Sequence, residues 1–74
     1  MTNTLHRMIE RVRANAMARK LDLIVAGKLP IPARVGRTFG NRFAYFDVMS
    51  ECVRLYHCGA LSPDRFIRQV NWQF

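Results

Sequence analysis

The side chains able to ligate a metal or attack a carbonyl are few: His6, Cys52, His57 and Cys58. A zinc site needs converging ligands, and the chain has neither a C-x2-C pair nor a matching histidine spacing. His57 and Cys58 are sequence neighbours, about 100° apart on a helix, and so diverge from a common ion. Nucleophilic catalysis by Cys52 or Cys58 with His57 lacks an orienting third group and a Gly-rich oxyanion turn. Placed on one helix, the two cysteines face different ways and do not suit a disulfide. They read as small hydrophobes with free thiols. Asp47 and Glu51, at i and i+4 on a wet face with basic neighbours, read as solvated charges rather than an acid/base pair. No catalytic residue, metal, cofactor or small-molecule substrate is therefore expected.

What the chain does have is arginine. Twelve Lys and Arg oppose five Asp and Glu over 74 residues, a net charge of +7. The excess lies in residues 1–42, where Arg7, Arg11, Arg13, Arg19, Lys20, Lys28, Arg34, Arg37 and Arg42 face only Glu10 and Asp22. Residues 43–74 are neutral, with Arg54, Arg65 and Arg68 balancing Asp47, Glu51 and Asp64. The planar guanidinium donates two hydrogen bonds at once to a carboxylate or a phosphate, so acidic proteins and nucleic acids are the natural partners. The bland alternative is a solvated basic face kept for solubility.

Length sets the frame that must carry these groups. A chain this short makes one domain, too small for a doubly wound nucleotide-binding sheet or a barrel enzyme. Half of its residues are hydrophobic, which argues against disorder. No run approaches the ~20 apolar residues of a membrane span. His6, Arg7, Glu10, Arg11 and Arg13 interrupt any secretory leader, so the protein is expected to remain in the compartment where it is made. The aromatic-rich segment, residues 43–74, reads as the main source of core. The basic segment, residues 1–42, reads as the main source of binding surface.

The expected fold class is α+β: a small single domain over residues 1–74, mainly helical with three helices and a β-hairpin near 34–45. An all-α arrangement is the alternative. The first helix starts at a cap on Asn3 or Thr4 and buries the stripe Leu5, Met8, Ile9, Val12 and Ala16. It runs to Ala26 with Gly27 as its stop, or else breaks near Lys20 into a strand over 21–25. Pro30 and Pro32 make an extended connector. Gly40-Asn41, between runs holding β-branched and aromatic residues, signals a hairpin, although Asn41 also suits a helix cap. The second helix carries Phe46, Met49, Val53 and Tyr56 beside Tyr45, Val48, Cys52 and Leu55, and closes at Gly59. Ser62-Pro63-Asp64 opens a third helix with Phe66, Ile67 and Val70 inward, after which Trp72 and Phe74 fold back.

The last two helices have roughly the lengths of a helix-turn-helix, with Asp64, Arg65, Arg68 and Gln69 on the reading helix. That segment is neutral, so the attraction that dominates DNA affinity is missing from it.

The opening MTNTLHRMIERVRANAMARK and the closing SPDRFIRQVNWQF resemble the small transcription regulators that lytic phages of plant-pathogenic xanthomonads direct against host RNA polymerase. The resemblance covers essentially the whole chain and rests on no short motif. It implies a non-enzymatic protein of the host bacterial cytoplasm that binds the N-terminal region of the polymerase β′ subunit near the RNA exit channel. It further implies inhibition of initiation by displacing sigma, and suppression of intrinsic termination, with NusA and nascent RNA as further partners. No contact residue transfers by motif. Charge placement alone nominates Arg7, Arg11 and Arg13 on the first helix, and Arg34, Arg37 and Arg42 on the ribbon with Phe39 as an anchor. The alternative is a stand-alone nucleic-acid-binding protein, on RNA through the basic stretch or on DNA through the helix-turn-helix-like unit.

Overall fold

The computed structural model describes the backbone of residues 2–74 and the side chains of residues 4–74. Four α-helices follow one another: α1 (Thr2–Val25), α2 (Val35–Thr38), α3 (Arg42–His57) and α4 (Pro63–Val70). A single 3-10 turn, Asn71–Gln73, ends the chain. No strand occurs among the described residues, so the all-α alternative holds and the hairpin over 34–45 does not form.

Local chemistry explains the correction. A two-residue Gly-Asn hairpin needs positive φ at Gly and, at Asn, either positive φ as well (type I′) or ψ near 0° (type II′). Gly40 has it (φ 63°), but Asn41 sits extended at φ −136°, ψ 124°. From there its Oδ1 accepts the Phe43 N–H at 2.8 Å and caps α3. Residues 42–46 then follow the helical period, which buries Tyr45 and Met49 on one face. On the other side of Gly40, Val35 drops into the core from the single turn of α2. A lone two-stranded ribbon would have had no third strand to support it.

Helix α1 runs unbroken through Lys20, so residues 21–25 are helix. Its start already includes Thr2, so Asn3 and Thr4, the expected caps, both lie inside the helix, Asn3 with a side chain outside the described residues. Gly27 and Gly59 stop α1 and α3 in the same way. Both adopt left-handed φ (78° and 84°), where a Cβ is costly. Their own N–H groups bond back to the carbonyls of Ile24 and Tyr56. The N–H of the following residue reaches Leu23 from Lys28, at 2.8 Å, and Leu55 from Ala60, at 2.9 Å. These paired bonds satisfy the carbonyls a helix end otherwise leaves open. At α4, Ser62 holds the N-cap position but does not cap with its side chain. Its hydroxyl donates to the Asp64 carboxylate at 2.7 Å, which holds that carboxyl below its ordinary range.

Packing settles which face of α1 is inside. Ala14, Ala18, Leu21 and Ile24 are fully buried, and the two alanines let α3 and α4 approach the α1 backbone closely. The expected inward stripe points the other way. Leu5, Met8, Ile9 and Val12 are 60%, 61%, 51% and 68% exposed, and Ala16 is exposed as well. At 100° per residue the two stripes lie about half a turn apart. Core residues therefore come from both halves of the chain, with Val35 and the C-terminal half of α1 joining Tyr45, Met49, Cys52, Val53, Leu61, Phe66, Ile67 and Val70. Val48 and Phe43, from the aromatic-rich segment, are exposed instead. Tyr56 stacks on Phe66 with ring centroids 4.6 Å apart, and its hydroxyl donates to Asn15 Oδ1, strapping α3 to α1.

Trp72 folds back against the core, and Phe74 lies under the Lys20 ammonium at 4.9 Å. Between them Gln73 is buried. Its Oε1 accepts the Tyr45 hydroxyl at 2.5 Å and its Nε2 reaches Met49 Sδ at 3.1 Å. This small polar chain locks the C-terminal turn onto α3, and burial pushes the Tyr45 phenol above its usual value of 10.0.

Replacing Tyr45 by Phe leaves the buried Gln73 oxygen without its donor. A loss of about 1–3 kcal/mol is expected by urea denaturation at neutral pH. Because the raised phenol pKa favours the neutral form in the folded state, that form's stability is intact below pH 10 and falls as pH climbs beyond it. The gap between wild type and Tyr45→Phe should therefore narrow above about pH 10. The Cys52 thiol, also raised by burial, is common to both proteins and cancels in that comparison.

Candidate functional site

The arginines nominated from the sequence form two groups at opposite ends of α1. Arg7, Arg11 and Arg13 stand on its N-terminal half, where no residue from Thr4 to Arg13 is buried. Arg34, Arg37 and Arg42 surround α2, past the C-terminal end of the helix. Arg7 and Val25 alone are separated by about 27 Å along the helix axis. The molecule measures 43 Å against 22 and 19 Å across it, and one partner touching both Arg7 and the α2 group must reach along most of α1.

At the first end, Arg7 and Arg11 line an open groove of about 710 Å3 against Ser62, Pro63 and Asp64 at the start of α4. Arg13 shares a second groove with Ile67 and Arg68, so Arg68 of α4 joins this group. At the other end, Arg42 borders an apolar groove formed by Pro30, Ile31 and Val35. Arg34 donates to the Trp72 carbonyl at 3.4 Å and so leans on the C-terminal turn. Phe39, nominated as an anchor, is half-buried. It packs edge-on to Tyr45 at 5.7 Å and against Trp72 at 5.8 Å. The aromatic ring this corner offers to solvent is Phe43, 80% exposed beside Arg42.

Charge pairing leaves the cations open. Among the described residues, Arg54 is the one Lys or Arg that forms a salt bridge, with Glu51 one turn away. The hydrogen bond from Arg54 holds the Glu51 carboxyl below its ordinary range. Two other carboxylates are taken by histidines, Glu10 by His6 at 2.6 Å and Asp22 by His57 at 3.3 Å. The guanidinium groups of both nominated clusters thus form no salt bridge within the chain among the described residues, with Asp64 lining the grooves of Arg7, Arg11 and Arg13 but in contact with none of them. No group of three or more His, Cys, Asp or Glu able to hold a metal is found among those residues. Cys52 is buried and Cys58 exposed, both as free thiols. No helix among the described residues is long and apolar enough to cross a membrane.

The helix-turn-helix reading meets an obstacle. Base edges are read by the first turn of the second helix, but here Ser62, Pro63 and Asp64 face His6, Arg7 and Arg11 of α1 across a shared groove. Gln69, expected on the reading face, accepts the Cys52 thiol at 3.3 Å.

Two features of the surface escaped sequence reasoning: Phe43, and the outward row Leu5, Met8, Ile9 and Val12. A signal for the row exists in the chain. Ala14, Ala18, Leu21 and Ile24 form a second stripe at helical spacing, and its backward continuation falls on Arg7 and Arg11. Two stripes half a turn apart cannot both face one core.

The molecule is thus a small all-α basic protein with two cationic ends. Neither a family model, nor a curated protein, nor a solved structure matches the chain.

Because these arginines support nothing inside the fold, changing Arg7, Arg11 and Arg13 together to Gln should move the thermal midpoint by less than about 4 °C. Calorimetry checks this. A larger fall would assign them a structural role.

Proposed function

We propose that this protein is a phage-encoded regulator that binds host RNA polymerase near the N-terminal region of β′ and performs no chemistry of its own. The observation that carries the binding half of this reading is the set of arginines without intramolecular carboxylates, at two ends of a rigid helical body. Arginines left unpaired in the free protein gain fully from acidic subunit surfaces, which steer association and set orientation. The choice of polymerase comes from the resemblance of the two chain ends to the xanthomonad phage regulators.

The mechanism is steric. Seated beside the RNA exit channel, the α2 corner with Arg34, Arg37, Arg42 and Phe43 occupies a surface that sigma needs, and initiation at ordinary promoters falls. On the elongating enzyme the same body narrows the path of nascent RNA. Its cationic face holds RNA phosphates, terminator hairpins form less readily, and NusA strengthens the effect.

A stand-alone nucleic-acid binder is the rival, favoured by the same unpaired cations. It predicts retention of RNA or DNA oligonucleotides without polymerase, with affinity falling by about 0.7–0.9 log units per phosphate contact per log of salt. Absence of such retention at low salt removes it.

Reversing Arg34, Arg37 and Arg42 to Glu should weaken binding to purified polymerase at least roughly tenfold, as loss of several charge-assisted contacts does. The helical circular-dichroism signal should stay unchanged. Equal binding by the triple variant would remove the α2 corner from the interface. Failure of the wild-type protein to bind polymerase, or to alter initiation and termination in purified transcription, would overturn the functional reading itself.

A further inference from the structure

The row Leu5, Met8, Ile9 and Val12 has the i, i+3, i+4, i+7 spacing by which an amphipathic helix fills an apolar groove. By helical position it lies about half a turn from the buried stripe; Met8 and Ile9 border the two grooves shared with α4, and no described segment of the chain buries any of the four. Four aliphatic side chains left more than half exposed in one continuous row are unlike the scattered apolar residues of an ordinary surface.

The borders of the row determine what fits on it. By helical position, Arg13 lies along one edge and Arg19 closes the far end, with Lys20 beyond Arg13 seated over the Phe74 ring. The acids of α1 stand elsewhere: Glu10 is about 150° round the helix from the row and bonded to His6, and Asp22 is beyond the far end and bonded to His57. A second copy would bring the same cations to the seam, where the carboxylates bordering the row, Glu10 and Asp64, are already bonded to His6 and Ser62, and like charges across an interface are repelled. An anionic lipid surface is disfavoured by composition. Binding there scales with buried apolar area, and the row offers four aliphatic side chains without Trp or Phe, the exposed Phe43 and Phe74 lying on other segments. What remains complementary is a protein groove with an aliphatic floor and carboxylates along its rims, which the arginine forks engage in pairs.

We infer that the outward face of α1 is a docking helix for such an acidic-rimmed groove on a partner protein, separate from the cationic corner around α2. That the groove belongs to RNA polymerase rests on the functional reading above; the chemistry of the groove does not.

The test places the photo-crosslinking residue p-benzoylphenylalanine at Val12 in the full chain, expressed in xanthomonad cells. Val48 on α3, replaced in the same way, is the control. The expected result is a product at Val12, absent at Val48, whose partner peptide carries aliphatic residues flanked by several Asp or Glu. Its yield should fall at least roughly tenfold when Leu5 and Ile9 are both changed to Asn. Those positions face away from the core, and circular dichroism checks that the fold is retained. No product, a product with a second copy, lipid or nucleic acid, a peptide without acidic residues, or the same product at Val48 would overturn the inference. An acidic peptide from a protein other than polymerase would sustain the docking face and overturn the polymerase reading. If polymerase is bound but Val12 yields no acidic protein segment, the docking face falls alone.

Discussion

The seating of α1 on α3 and α4 through Ala14, Ala18, Leu21 and Ile24 is the contact on which the rest of the molecule depends. Two alanines at one-turn spacing give the neighbouring helices a shallow surface, and two larger aliphatic side chains beyond them fill the space toward the connector. A core of this size has little reserve, so that stripe leaves no second solution for the helix. Choosing it also decides everything outside it. The continuation of the buried line toward the N-terminus falls on Arg7 and Arg11, which emerge at the groove beside α4. The aliphatic row from Leu5 to Val12 is turned to solvent. The arginine groove beside α4 and the outward aliphatic row are consequences of one helix rotation.

That rotation is a tertiary fact, because periodicity alone leaves two stripes of α1 to choose between. Leu5, Met8, Ile9 and Val12 present a better local stripe than Ala14, Ala18, Leu21 and Ile24, because alanine contributes weakly to any apolar pattern. Burial nevertheless follows the docking of α3 and α4, and close approach rewards small side chains. Elements whose signals are local were legible: the stop glycines at 27 and 59, the inward residues of α4, the wet side of α3 at Asp47, Glu51 and Arg54. At Asn41 two local signals competed. The cap prevailed because Tyr45 and Met49 gain burial only at the helical period, whereas a hairpin had no partner strand.

Of the candidate surface, the charge was readable and its arrangement was not. Composition alone located nine cations in residues 1–42. It did not reveal that α1 carries the two nominated groups to opposite ends, or that Phe39 turns into the aromatic cluster while Phe43 stays out. Phe39 and Phe43 are one helical turn apart in number, but Gly40 and the Asn41 cap intervene, so they belong to different helices and different surroundings.

The histidines give this surface its last constraint. Glu10 has Arg7 and Arg13 three residues away and Asp22 has Arg19, spacings at which each could pair with a cation of the same helix, as Glu51 does with Arg54. Instead His6 and His57 occupy them, and the arginines of α1 keep their hydrogen-bonding capacity for groups outside the chain. Exposed ion pairs add little to stability, so the fold loses almost nothing by this arrangement. A partner's carboxylates or phosphates meet guanidinium groups that need not first be released. The molecule therefore separates its two tasks spatially: apolar packing and the Tyr45–Gln73 bond hold the body together, and the charges are free to act between molecules.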